Sequence, residues 1–116
     1  MTYVDGYVLA VKTNRKNDYL KMAKEVAPVF KDHGALTIVE CWGDDVPDGK
    51  VTSFPMAVKL EEDETVVFSW ITWPSKAVRD KGLKSAMDDP RMKPPEDMAF
   101  DGKRMIFGGF ETILNL

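Results

Sequence analysis

The feature that most constrains this sequence is a pair of strand-like segments that are apolar on both faces. Residues 65–73 (TVVFSWITW) form the strongest of these segments, since β-branched and aromatic residues follow one another until Pro74 ends the run. Residues 3–12 (YVDGYVLAVK) also carry apolar side chains at both odd and even positions. Because successive side chains of a strand point to opposite faces, both faces of the resulting sheet should be covered.

Two segments have the periodicity of helices. Residues 14–34 place apolar side chains three and four positions apart, and Gly34 is a natural end point. Residues 76–88 follow Ser75, a good N-cap, and end before Pro90. The sequence therefore predicts one helix after the first strand and another after the strongest one.

Further strands are predicted at residues 35–43 (ALTIVECWG) and 104–116 (RMIFGGFETILNL). Within the last segment, Gly108 and Gly109 indicate a bulge or a close backbone approach. Residues 51–60 are predicted as irregular structure or a short strand, because a proline interrupts them.

The resulting β-α-β-β-α-β order is typical of an α+β, ferredoxin-like split βαβ fold. Residues 1–116 are expected to form a single domain of this kind, with both helices on one face of a four-stranded antiparallel sheet. We expect strand order 4-1-3-2, with strands one and three parallel to each other. The other face of the sheet is also apolar, and the simplest cover for it is a second copy in a face-to-face homodimer.

Composition excludes several classes of protein. The 116 residues include 16 Lys and Arg against 19 Asp and Glu, a formal charge of −3, which argues against general nucleic-acid binding. One cysteine, Cys41, and one histidine, His33, are too few for a structural zinc site, and we predict no metal and no cofactor. The sequence has no apolar run of membrane-spanning length and no signal-peptide pattern, so a cytoplasmic protein without membrane contact is expected.

Four stretches carry a resemblance to a known family: residues 3–6 (YVDG), 40–50 (ECWGDDVPDGK), 88–92 (DDPRM) and 104–110 (RMIFGGF). Through them the whole chain resembles the YbaA-like family of conserved bacterial proteins. The resemblance implies membership of the dimeric α/β-barrel superfamily, which includes cofactor-free monooxygenases, haem degraders, muconolactone isomerase-like enzymes and ligand-sensing domains. It implies a fold, but no particular reaction.

Three carboxylates interrupt apolar strand faces: Asp5, Glu40 and Glu111. Antiparallel pairing of the last strand with the first is expected to put Glu111 beside Asp5, with Glu40 towards the same end. Carboxylates gathered on a half-buried surface would raise at least one pKa and give a general acid or base. The alternative is that they form ion pairs at the sheet rim or dimer seam. The candidate partners in that case are Lys12, Lys59 and Arg104.

Aromatic side chains on three strands offer walls for an apolar pocket, although a core or a dimer interface needs the same residues. The candidate ligand-binding aromatics are Trp42, Trp70 and Phe107. Arg91 could bind an anionic ligand through its bidentate fork, or pair locally with Asp88 or Asp89.

The leading functional prediction is a small cytoplasmic homodimer that binds a small, partly apolar molecule in a cleft between helices and sheet. Two alternatives stay open. One is a cofactor-free enzyme, resembling a monooxygenase or an isomerase, that uses the strand carboxylates as acid and base. The other is a non-enzymatic protein-interaction module.

Overall fold

The computed structural model describes residues 1–93 and 96–116 and contains the predicted β-α-β-β-α-β order with one short additional helix. A 3-10 turn, Thr13–Arg15, joins the first strand to the first helix. The strands and helices are β1 Tyr3–Lys12, α1 Lys16–Asp32, β2 Thr37–Trp42, α2 Phe54–Ala57, β3 Glu64–Trp73, α3 Lys76–Met87 and β4 Ile106–Glu111.

The four strands form one sheet in the order β2-β3-β1-β4, and each neighbouring pair is antiparallel. This strand order was predicted, but the parallel arrangement of the first and third strands was wrong. Tyr3 pairs with Trp73 and Lys12 with Glu64, so β1 and β3 run in opposite directions. The crossover through α1 makes β1 and β2 parallel, and β3 lies between them, so it must oppose both.

The helices cover the face of the sheet that carries the odd-numbered residues of β1. At one end, Leu9 and Val11 pack with Tyr19 of α1. At the other, Trp73 and Val29 are both fully buried in a cluster that α1 and α3 share. Burial of each large side chain contributes about 1.5–3 kcal/mol, so these two clusters fix the helices on the sheet.

Residues 51–60 are irregular, as one of the two predicted alternatives had it, except for a four-residue helix that was not predicted. They contain α2, capped by Ser53, whose Oγ accepts a hydrogen bond from the Met56 amide at 3.1 Å. The proline that argued against a strand stands at the start of this helix, where its missing N–H costs nothing. After α2, Val58 and Leu60 turn back onto the sheet beside Val8.

The sheet face opposite the helices is here called the outer face, and the segment after α2 covers only one end of it. Large apolar side chains of β3 and β4, on either side of β1, remain exposed on this face. They are Phe68, 43% exposed, Ile106, 45% exposed, and Phe110, 62% exposed. The predicted apolar second face is therefore present, but it is smaller than the whole sheet.

The last strand is shorter than predicted, since β4 ends at Glu111 and residues 112–116 follow without regular structure. Its pairing with β1 continues without a bulge from Tyr3 to Val8. The close approach predicted at the glycines does occur at Gly109. A Cβ there would lie 2.5 Å from the Tyr3 hydroxyl and 2.9 Å from Nη2 of Arg79.

None of the helices in the described residues combines the length and the apolar character needed to cross a bilayer.

Candidate functional site

A cleft of about 740 Å³ lies between the helices and the sheet. Its floor is a row of four side chains, one from each strand, which we call the floor row: Glu40, Ser69, Tyr7 and Phe107. Strand register fixes the row, because Glu40 pairs with Ser69, Ser69 with Tyr7, and Tyr7 with Phe107. Side chains at paired positions share a face, so the row points towards the helices.

The walls of the cleft are rich in methionine. Five of the seven methionines line it: Met22, Met87, Met92, Met98 and Met105. Val26 of α1, Leu83 of α3 and Phe100 complete much of the apolar lining. Methionine side chains are flexible and polarisable, so such walls can adapt to ligands of different shape.

The polar end of the floor row is a short hydrogen bond between helix and strand. The Tyr19 hydroxyl donates to Oε1 of Glu40 at 2.6 Å. Glu40 is exposed at the edge of the sheet, yet partial desolvation by the surrounding cleft raises its pKa above the ordinary value, while the hydroxyls of Tyr19 and Ser69 oppose that rise. Burial and the Glu40 charge also raise the pKa of Tyr19 far above its ordinary range, so Tyr19 remains a donor. Glu40 is thus a carboxylate that can hold a proton more tightly than usual.

The other end of the floor row is aromatic. The rings of Tyr7 and Phe107 stack with centroids 6.2 Å apart and planes inclined by 27°. Phe107 is 70% exposed, so one side of this pair is open. Burial, and next the charge of Asp5, raise the pKa of Tyr7 to about 12, which keeps its hydroxyl neutral near pH 7. The cleft therefore joins an aromatic platform to a polar group across the sheet.

Asp5 lies next to the floor row, but both of its carboxylate oxygens already accept hydrogen bonds within the protein. It is 3% exposed and accepts hydrogen bonds from Trp73 Nε1 at 2.9 Å and from Arg79 Nη2 at 2.7 Å. Arg79 also lies over the Tyr3 ring at 5.1 Å. These bonds hold α3 against the sheet, so the partners of Asp5 are Arg79 and Trp73 rather than the basic residues predicted from sequence.

The three predicted carboxylates do not come together as expected. Glu111 pairs with Tyr3, whereas Asp5 pairs with Gly109, so Glu111 lies two positions further along the strand. Glu111 is exposed and is not among the residues that line the cleft. Glu40 is the end member of the floor row, next to Ser69, and accepts a hydrogen bond from Tyr19. None of the three pairs with Lys12, Lys59 or Arg104. Lys12 binds Glu61 and Asp63, and Arg104 binds Glu64.

Two of the predicted ligand-binding aromatics stand apart from the cleft interior. Trp42 is on the helix side of β2, where Nζ of Lys16 lies 5.3 Å from its ring centre, and it is outside the cleft lining. Trp70 borders the cleft, but its register with Gly6 puts its side chain on the outer face, packed against Phe68 at 5.5 Å. Phe107 is the one of the three whose ring faces into the cleft.

Arg91 lines the mouth of the cleft and makes the local ion pair that was predicted as the alternative to ligand binding. Its Nη2 donates to Asp89 at 2.8 Å and its Nη1 donates to Asp32 at 2.9 Å. Asp89 also lies 3.0 Å from Nε2 of His33, just beyond α1. Arg91 and His33 hold the pKa of Asp89 well below its ordinary range, so this cluster ties the end of α1 to the segment after α3.

Sequence reasoning missed Tyr19, Ser69 and Tyr7 as residues of this region. Tyr19 belongs to the apolar stripe of the first predicted helix, and Ser69 lies inside the strongest predicted strand, so neither was a candidate for the site. A signal was nevertheless present in the seven methionines, five of which line the cleft. Among residues 1–93 and 96–116, no three His, Cys, Asp or Glu side chains are gathered closely enough to hold a metal ion.

The topology and the cleft define an α+β protein of ferredoxin-like fold with an open cleft between its layers. A crystal structure of a dimeric ferredoxin-like protein from an uncultured marine organism matches this chain with a TM-score of 0.61, covering 100% of both chains at 8% identity. The family model described as a protein of unknown function, DUF1428, matches residues 2–102. The chain therefore belongs to the DUF1428 family.

Two relatives place the chain within that family. A protein of Escherichia coli described as uncharacterized protein YbaA is 62% identical over 116 residues, which cover 99% of each chain. The corresponding protein of Shigella flexneri has the same identity and coverage. The resemblance to YbaA-like proteins and the ferredoxin-like fold are both confirmed.

Proposed function

We propose that this protein binds a small, partly apolar molecule in the cleft between helices and sheet. The observation that supports this most strongly is the cleft itself, about 740 Å³ in volume, which is within the range of small-molecule sites. Its lining combines apolar walls with the polar groups of Tyr7, Ser69 and Glu40 on the floor, and charged side chains also line the cleft. That combination is typical of a site that takes its affinity from apolar contact and its orientation from a few hydrogen bonds.

We also propose that two copies associate through the outer face and that the protein works in the cytoplasm. Phe68, Ile106 and Phe110 are all exposed on the outer face, although the Phe54 ring of α2 lies 5.8 Å from that of Phe68. The dimeric ferredoxin-like protein of similar fold supports a second copy as the cover for these side chains. Cys41 is an unpaired thiol, which fits a reducing compartment.

The test is native mass spectrometry of the protein purified gently from its own host. The expected spectrum is a dimer that carries a discrete small adduct, which is then identified after release. Phe107 and Phe110 provide a matched pair, because they are similarly exposed on opposite faces of β4. Phe107→Ala should reduce the fraction that carries the adduct and keep the dimer. Phe110→Ala should weaken the dimer and keep the adduct.

Two results would count against these proposals. An adduct that survives Phe107→Ala and disappears in Phe110→Ala would move the site to the outer face. A bare protein that captures another protein through the cleft residues would favour the interaction module predicted as an alternative.

A second candidate function is cofactor-free proton transfer on the bound molecule, and the raised pKa of Glu40 inside the cleft favours it. In this proposal Glu40 is the acid or base. Of the other two candidates from the sequence, Asp5 is held by Trp73 and Arg79, and Glu111 lies outside the cleft lining and serves as the control. The test is incorporation of solvent deuterium into the released compound in D₂O, followed by NMR. Exchange should be lost in Glu40→Gln and retained in Glu111→Gln. Equal exchange in the wild type and Glu40→Gln would contradict the role of Glu40.

A further inference from the structure

The arginines that border the cleft are engaged by acidic side chains. Arg15 binds Asp18 and Asp97, Arg79 binds Asp5 and Asp80, and Arg91 binds Asp32 and Asp89. A ligand carboxylate would have to displace one of these partners to reach a guanidinium. The arginines therefore help to build the walls of the cleft and do not present their charge to its interior.

Glu40 differs from these arginines because its charge is not paired with an oppositely charged side chain in the part of the chain that the structure describes. Among the ion pairs of the described residues none involves Glu40, and the polar groups beside its carboxylate are the neutral hydroxyls of Tyr19, at 2.6 Å, and Ser69. A carboxylate offers about four lone-pair positions, so bonds from these two hydroxyls leave capacity for another donor. The polar group that the floor row offers to a ligand is thus a hydrogen-bond acceptor, the Glu40 carboxylate.

The distance between the two ends of the floor row limits which molecules can contact both of them. Three strand spacings separate Glu40 from Phe107, or about 14 Å between backbones. Between them lie the small side chain of Ser69 and the Tyr7 ring, which stacks on Phe107. A planar ring can lie against this aromatic platform while a substituent on its edge passes over Ser69 to Glu40.

We propose that the cleft selects neutral ring compounds that carry an O–H or N–H donor, with the ring on Tyr7 and Phe107 and the donor on Glu40. This inference rests on the proposed small-molecule function and specifies the class of its ligand. It replaces the anionic ligand considered from the sequence, because a carboxylate would meet the Glu40 carboxylate without a free guanidinium to balance it.

The experiment compares three probes of one ring and different substituents by isothermal titration calorimetry at pH 7: 2-naphthol, 2-methoxynaphthalene and 2-naphthoate. The hydroxyl compound should bind about tenfold more tightly than the methyl ether, which lacks the donor, since a hydrogen bond to a charged acceptor contributes on that scale. The naphthoate should bind most weakly of the three.

Glu40→Gln gives the diagnostic change in preference. The amide removes the negative charge and supplies its own N–H donors, so the advantage of naphthol over the ether should shrink and naphthoate should gain about tenfold. A side chain that only supported the fold would alter all three affinities together. Glu111→Gln, the same change outside the cleft lining, should leave all three affinities as in the wild type.

The possible failures are distinct. If none of the three probes binds, the proposed small-molecule function fails together with this inference. If naphthol and the ether bind equally, the cleft is an apolar site and only the inference fails. If naphthoate binds most tightly, Lys21 and Lys93, which also line the cleft, would be the anchors and the proposal would be overturned.

Discussion

The Tyr19 hydroxyl lies 2.6 Å from Oε1 of Glu40 and so joins helix α1 to edge strand β2 beside the cleft. The bond fixes the position of a carboxylate that has no cationic partner among the described residues. Two effects on the pKa of Glu40 oppose each other here, because partial desolvation in the cleft raises it while the hydrogen bond from Tyr19 lowers it.

Removal of the Tyr19 hydroxyl should therefore raise the pKa of Glu40 further. In the wild type we expect the side-chain carboxyl of Glu40, followed by ¹³C NMR, to titrate above its ordinary value of 4.5. In Tyr19→Phe the midpoint should move to higher pH, because the cost of desolvation remains and the hydrogen bond is gone. Tyr3→Phe is the control and should leave the midpoint in place. A lower midpoint in Tyr19→Phe would contradict the assigned contact.

Asp5 and Glu111 should differ sharply in their contribution to stability. Asp5→Asn leaves the Arg79 guanidinium without its buried counter-charge, so we expect the free energy of unfolding to fall by about 3 kcal/mol. Glu111→Gln changes an exposed side chain and should stay within about 0.5 kcal/mol of the wild type. Urea unfolding followed by tryptophan fluorescence measures both. Equal stability of the two variants would mean that the ion pair of Asp5 does not hold α3.

Arg104 should be important for stability at neutral pH and unimportant in strong acid. It binds Glu64 through Nη1 at 2.7 Å and Nη2 at 2.6 Å, and this pairing lowers the pKa of Glu64 to about 2. Because that pKa is below the ordinary 4.5, the stabilisation is complete above about pH 4.5 and is lost as pH falls towards 2.

We therefore expect Arg104→Met to lower the free energy of unfolding by about 3–5 kcal/mol at pH 7, since Glu64 is left charged and buried. The difference from the wild type should shrink between pH 4.5 and pH 2. Lys76→Met is the control, because Lys76 and its partner Asp80 are both exposed and such pairs contribute about 0–1 kcal/mol. A loss at pH 7 no larger than that of the control would contradict the buried pair.

Gly109 should not tolerate a methyl group. A Cβ at this position would lie 2.5 Å from the Tyr3 hydroxyl and 2.9 Å from Arg79, so Gly109→Ala must displace one of them. We expect a loss of about 1–3 kcal/mol in thermal or urea unfolding, as for other overpacked sites. Gly102→Ala is the control, since no atom lies within 4 Å of its Cβ position. Comparable stability of the two variants would rule out the close approach.

The fold could be predicted because its signals are local and repeated along the chain. The apolar segment that ends at Pro74 and the Ser75 cap of α3 both occur where the sequence placed them, and Ser75 Oγ accepts from the Val78 amide at 3.2 Å. The segment around α2 could not be predicted in the same way. Its helix is only four residues long, so a proline suited to a helix start read instead as a break in a strand.

The candidate site was harder to predict because it depends on register. A difference of two positions on β4 decides that Gly109 rather than Glu111 pairs with Asp5. The contact between Tyr19 and Glu40 joins residues 21 positions apart on different elements, and no local pattern reveals it. Sequence reasoning thus found Glu40 and Phe107 as separate candidates, while only the paired strands show them in one row.

The most direct test of the central claim is NMR of the protein labelled with ¹³C at its methionine methyl groups and titrated with 2-naphthol. Met22, Met92 and Met105 line the cleft, whereas Met1 and Met56 lie outside its lining and serve as internal controls. We predict saturable shifts of the cleft methyl signals, with the signals of Met1 and Met56 unchanged. Unmoved cleft signals at saturating probe, or shifts confined to Met56, would contradict the assignment of this cleft as the binding site.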